Sequence, residues 1–143
     1  MRSVDHDCEL REMLTHAKTI AVVGIKQDEA ADAFRIPSYL QAQGYRIVPI
    51  NPKLESVLGE RALGSLAEVG GHVDIVNLFR ASEHISPHVD EILEMTPLPS
   101  AVWMQLGIQH AGAAARLRAA GIQVLQDRCI MVDHRRLQIE RDT

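Results

Sequence analysis

Lysine is scarce in this chain, and two of its three lysines follow apolar runs of strand type. Lys26 comes just after Thr19 to Gly24, in the stretch IAVVGIKQD, and Lys53 follows Arg46 to Ile50 through Asn51 and Pro52. Phe79 and Arg80 close a third run, Val73 to Leu78. Trp103, Met104 and Gln105 close a fourth, and Asp127, Arg128 and Cys129 follow a fifth, Ile122 to Leu125. Four of the five ends carry a cation within three residues. Cations gathered on one rim between low-dielectric walls attract a multiply charged anion far better than the net charge suggests. Backbone N–H groups of the loop after Gly24 are expected to add uncharged donors, as an anion-binding nest.

The rest of the composition makes such a rim a local feature. Net charge is −4, from 15 basic and 19 acidic residues, so no general basic surface draws in nucleic acid or anionic membrane. Aromatic residues are few, which argues against stacked-base recognition of single strands. No apolar run approaches a membrane span and no secretory signal is seen. The two cysteines, Cys8 and Cys129, lie far apart, and a reducing cytoplasm with free thiols is the expected setting.

The elements that must hold the rim alternate along the chain. Asp7 to Ala17 has the spacing of a helix packed on one side, within a leading segment 1–18. After the first strand the pattern predicts a polar loop and a helix from Pro37 to Gln43, stopped by Gly44. Val57 to Gly64 reads as a turn-rich excursion, and Ser65 to Glu68 has the spacing of a capping box on a single helical turn. Ser86 and Pro87 open a helix carrying Val89, Ile92 and Leu93. Ala111 to Ala120 reads as another helix, and the residues after Val132 as a short closing one. Strands apolar on both faces and alternating with helices predict an α/β fold, a Rossmann-like doubly wound parallel sheet of five strands covered on both sides. A length of 143 residues allows one domain, with a core over 19–134 and a tail over 135–143. In such a sheet the ligand crevice lies beyond the carboxyl ends of the strands, where the five runs end.

The usual nucleotide signatures are missing there. A dinucleotide fold presents G-x-G-x-x-G after the first strand and an acid at the end of the second. Here the first stretch is Gly24-Ile-Lys-Gln-Asp-Glu29, and the second strand ends in Asn51-Pro52-Lys53. A lysine in place of the acid favours a ligand with an additional ribose phosphate over NAD. No G-x-x-x-x-G-K-[ST] string occurs, which excludes a P-loop.

The ordered strings AVVGIK, YLQAQGYRIVPINPK, VLGERALGSLAEV, VDIVNLFR, AVWMQLGI and GIQVLQDRCIMVDH resemble the small, free-standing CoA-binding domain family, which is similar to the N-terminal domain of the succinyl-CoA synthetase alpha subunit. The resemblance runs from Thr19 to His134. It implies a Rossmann-like fold and CoA as the ligand, whose pyrophosphate and ribose 3′-phosphate suit a cationic rim. Residue by residue it places Gly24, Ile25 and Lys26 in the loop that cradles the phosphates. It puts Pro52 and Lys53 after the second strand near a nucleotide phosphate, and Phe79 and Arg80 beside the adenine and pyrophosphate. Arg35 is a further phosphate candidate, and Trp103, Gln105 and Gly107 would border the pantetheine arm. The loop from Gln27 to Phe34 departs from the family's more usual proline- and serine-containing version.

Chemistry beyond binding has thin support in the residues. The synthetase uses a phosphorylated histidine from a second domain, for which this chain has no counterpart. His84 and His88 have metal-sharing spacing, but the helix starts between them at Ser86 and Pro87. Cys129 is the one thiol expected near the ligand, where Arg128 could favour its thiolate and a mixed disulfide with CoA; a small buried side chain is the simpler reading. Three readings follow: a reversible CoA or acyl-CoA binder, an NAD(P)- or acyl-CoA-dependent enzyme, and a CoA-sensing module read by a protein partner through Arg116, Arg118, Arg135 and Arg136.

Overall fold

The computed structural model describes residues 2–140, with the side chains of 7–140. Helix α1 (Arg2–His16) leads into β1 (Thr19–Val23), α2 (Asp32–Ala42) and β2 (Arg46–Ile50). A small hairpin follows, β3 (Ser56–Val57) and β4 (Glu60–Arg61), and then β5 (Ile75–Leu78), α3 (Ser86–Leu93) and β6 (Ala101–Met104). Helix α4 (Ala111–Ala119), strand β7 (Gln123–Leu125) and helix α5 (Ile130–Arg136) complete the order.

Five strands form one parallel sheet in the order β2-β1-β5-β6-β7. The expected Rossmann-like α/β fold is therefore what forms, and chain order reverses between β1 and β5. Alternation along the strands divides the core into two. Ile20, Val22, Ile75, Trp103 and Leu125 pack with Leu14 of α1, Leu40 of α2 and Ile130 of α5. Ala21, Val23, Val76, Leu78, Val102 and Met104 pack with Val89 and Ile92 of α3 and Leu117 of α4. Burial on both faces explains why these strands read as continuous apolar runs rather than alternating ones. Proline is tolerated at position 49 because β2 lies at the edge, where the Leu63 N–H bonds back to the Pro49 carbonyl at 2.9 Å.

Several local expectations change. The 57–64 excursion contains a true hairpin, turned by Leu58 (φ 58°) and Gly59 (φ 77°), both left-handed as a two-residue type I′ turn requires. Leu66–Glu68 is a 3₁₀ turn in which the Ser65 side chain makes no cap bond; the Glu68 N–H bonds the Ser65 carbonyl instead, at 3.1 Å. Helix α2 starts at Asp32, five residues before the expected Pro37, which stands inside it and is buried. A proline in a helix interior costs about 3 kcal/mol in isolation, so tertiary contacts override the local preference here. Helix α5 includes Arg135 and Arg136, and Leu137 and Ile139 pack onto the core, so the expected tail is folded as far as Ile139; residues 141–143 lie outside those described.

At the point where strand order reverses, Gly24 leaves β1 with φ +86°. A Cβ there would stand 2.4 Å from the Phe79 carbonyl oxygen at the end of β5. Gly24→Ala is expected to lower the unfolding free energy by more than about 2 kcal/mol, combining left-handed strain of about 1–2 with overpacking of about 1–3. Urea denaturation measures this, and a change below about 0.5 kcal/mol, typical of open surface positions, would contradict the close approach. A second test concerns Asn77, wholly buried in β5 between Val22 and Trp103, whose amide nitrogen and oxygen have no partner among the described residues. Asn77→Leu keeps the branched shape and removes both polar atoms. The variant is expected to gain about 1 kcal/mol or more in stability, and a loss of that size would show that the amide is hydrogen-bonded.

Candidate functional site

The carboxyl ends of β1, β5 and β6 and the start of α2 enclose a cleft of about 380 Å³. That size falls within the roughly 300–1,000 Å³ common for small-molecule sites. Lys26, Ile36, Phe79, Arg80, Gln105 and Cys129 are among its walls. Two cations thus face one opening whose single carboxylate, Asp32, is bonded to Arg35, and positive charge prevails there in an acidic chain.

The loop that delivers Lys26 is fastened at each residue by the main chain. The Gly24 N–H bonds the Ile50 carbonyl at 3.0 Å, the Ile25 carbonyl accepts Asn51 Nδ2 at 2.7 Å, and the Lys26 N–H bonds the Ala33 carbonyl at 3.2 Å. Ile25 is wholly buried, so its side chain anchors the loop rather than meeting a ligand. Of the N–H groups expected to form a nest after Gly24, that of Lys26 is already taken by Ala33. The first turn of α2 adds uncharged donors. Ala31 has no side chain able to cap it, and Ala31, Asp32 and Ala33 line the cleft. Sequence reasoning passed over this helix start and the fastening role of Asn51, although Asn51 itself stood in the quoted NPK string.

Arg80 lies on the glycine. Its Cδ would be 3.2 Å from a Cβ at position 24, so the absent side chain makes room for the arginine stem as well as for the Phe79 carbonyl. The space a Cβ would fill is thus taken by the chain itself, and it is the neighbouring cleft, with Lys26 and Arg80 in its walls, that fits a phosphate-bearing ligand.

Other expected site residues stand elsewhere. Arg35 is exposed and bonded to Asp32 in its own helix turn. Pro52 and Lys53 are exposed on the loop after β2, outside the cleft, with the Lys53 N–H bonded to Asn51 Oδ1 at 2.8 Å. Trp103 is wholly buried and donates Nε1–H to the Arg128 carbonyl at 2.9 Å; it is core, not a wall for a pantetheine arm. Gln105 reaches the cleft while its Oε1 accepts the Ile130 N–H at 3.0 Å, which ties β6 to α5. Gly107 (φ +87°) is exposed beside it, its N–H bonded to Asp127 at 2.6 Å.

Cys129 lines the cleft, but Arg128 does not serve it. The guanidinium is turned to Asp133, with Nε–Oδ2 2.8 Å and Nη2–Oδ1 2.9 Å. That hydrogen bond holds Arg128 above the ordinary arginine value, so it remains charged and committed. The idea that Arg128 activates the thiol is corrected. The histidines take structural places: His110 Nδ1 caps α4 by accepting the Ala113 N–H at 3.0 Å, and His88 pairs with Glu91 at 3.0 Å. His84 belongs to a separate 3₁₀ turn. The arginines expected to meet a partner are engaged too, Arg116 with Asp90, Arg118 with the Val124 carbonyl, Arg136 with Asp7 and Asp133, and Arg135 over the Tyr39 ring.

A second polar cleft of about 290 Å³, with Arg46, Arg61 and His72 in its walls, lies at the amino ends of β1 and β2. The carboxyl edge is the better candidate, since strand-order reversal opens the crevice at that edge.

Comparison with known proteins agrees with this fold. Over 88% of its length the chain is 38% identical to the uncharacterized protein YneT of Bacillus subtilis (strain 168), covering 92% of that protein. The solved structure of cell-free ID.343 from Thermus thermophilus is 43% identical, with 92% of this chain and 98% of that one aligned and a TM-score of 0.88. The dinucleotide forming acetyl-coenzyme A synthetase 1 of Ca. Korarchaeum cryptofilum, in complex with phosphate and ADP, shares the fold alone: identity is 20% and TM-score 0.71, over 81% of this chain and 27% of the larger one. The family model described as CoA binding domain matches residues 18–135, from the residue before β1 to the last turn of α5, and the chain belongs to that family.

Proposed function

We propose that the chain, as one CoA-binding domain, holds CoA or an acyl-CoA reversibly at the carboxyl edge of its sheet. The observation that carries this is the placement of Lys26 and Arg80 in one cleft where strand order reverses, in a chain of the CoA binding domain family. In this reading Lys26, Arg80 and the first-turn N–H groups of α2 receive the pyrophosphate, and Phe79 gives the adenine side an apolar surface. Gln105 and Cys129 border the arm that ends in the thiol. Lys53, on the neighbouring loop, takes the ribose 3′-phosphate.

Binding without turnover is favoured over the enzyme reading because Cys129 gains no cation from Arg128, which is bound to Asp133. The partner-sensing reading loses its basic surface, since Arg116, Arg118 and Arg136 are held within the chain. A cytoplasmic setting suits the two free thiols, and no described helix is long and apolar enough to cross a membrane.

Isothermal titration with CoA, dephospho-CoA and NADPH tests the proposal. Lys26→Ala and Arg80→Ala are each expected to weaken CoA binding about tenfold, about 1.4 kcal/mol, and to flatten its salt dependence. Lys53→Ala is expected to weaken CoA but not dephospho-CoA. Arg46→Ala, at the opposite edge, serves as the unaffected control. Equal affinity in the Lys26 and Arg80 variants, or binding of NADPH alone, would overturn the assignment.

A further inference from the structure

Pro37 is the sixth residue of α2, well inside the helix, where an ordinary residue would donate its N–H to the carbonyl four places back. That carbonyl belongs to Ala33. Proline has no N–H to give, and the Ala33 oxygen instead accepts the Lys26 N–H at 3.2 Å. The helix thus leaves open, in its first turn, the one acceptor that the ligand loop uses. Fastening on the other side comes from the Gly24 and Ile25 bonds to the β2 end, so the helix contact is what fixes the last of the three loop residues. Beyond it, Gln27, Asp28 and Glu29 are exposed.

We infer that Pro37 is a positioning residue for Lys26: by withholding its own N–H it reserves the Ala33 carbonyl for the loop, and so aims the Lys26 side chain into the cleft. A residue with an N–H at position 37 draws that carbonyl onto the helix axis and away from the loop. The proline is then a local penalty in α2 that sets the direction of a charged group one layer away. Its effect on affinity rests on the CoA reading; its effect on the Lys26 amide does not.

The test uses ¹⁵N-labelled full chain with Pro37→Ala and Pro37→Gln, both good helix formers, alongside the natural sequence. Three quantities are read: the hydrogen-exchange rate of the Lys26 amide without ligand, the affinity for CoA, and the melting temperature. Pro37→Ala is expected to melt at or above the natural temperature, as a restored helix bond requires, and Pro37→Gln below it, since it puts a polar amide at a buried position. The Lys26 amide is expected to exchange at least tenfold faster, and CoA to bind several-fold more weakly. In a Lys26→Ala background the proline substitutions are expected to leave CoA affinity unchanged, because their effect acts through that side chain. Unaltered Lys26 exchange would overturn the inference, as would an affinity loss of equal size with and without the Lys26 side chain. Failure of both variants to fold would overturn it too, by showing that the proline serves the core. If the natural chain does not bind CoA, the proposed function fails, while the exchange rates still decide the role of Pro37.

Discussion

The contact between the Gly24 backbone and the Phe79 carbonyl sets the form of everything at the carboxyl edge. Strands β1 and β5 are adjacent, and the chain leaves them in opposite directions around the sheet, so their ends are the one place where the two connections diverge. The glycine lets β1 turn away with a left-handed backbone while the β5 end passes within a distance no side chain allows. From that approach follow the position of the Arg80 stem, the direction of the Gly24–Lys26 loop, and the opening between α2 and the end of β6. Substituting the glycine would therefore disturb fold and site together.

Electrostatically the molecule separates its cations by use. Arg128 and Arg136 converge on Asp133, which is buried, and Arg136 also reaches Asp7 on α1, so this group clamps α1 and α5 beside the sheet. Buried or shared carboxylate partners make these arginines structural. Lys26 and Arg80 line the cleft, where the one carboxylate, Asp32, is bonded to Arg35, so their charge prevails where the strands end. A chain of net charge −4 can in this way present a positive opening.

The order of strands and helices was legible in the sequence because both faces of the sheet are covered. Strands such as IAVV and IVNL read as unbroken apolar runs, and their ends marked the edge at which strand order reverses. The errors fall where a local rule yields to a tertiary contact. Pro37 marked a helix start by its own chemistry, but α2 begins five residues earlier and uses the proline's missing donor for another loop. Arg128 looked available to Cys129 because adjacency in sequence says nothing of Asp133, one helical turn onward, which holds it. Trp103 shared the strand-end pattern with Lys26, yet it points into the core. Spacing alone does not tell which way a side chain faces once a strand has ended.

The central claim is that ligand meets this protein at the carboxyl edge, between Lys26 and Arg80. Mapping backbone amide shifts of ¹⁵N-labelled protein during titration with CoA tests it most directly. The account expects saturable shifts concentrated at Lys26, Asp32, Ala33, Phe79, Arg80 and Cys129. Shifts clustered instead around Arg46, Arg61 and His72, at the amino ends of the strands, would contradict it.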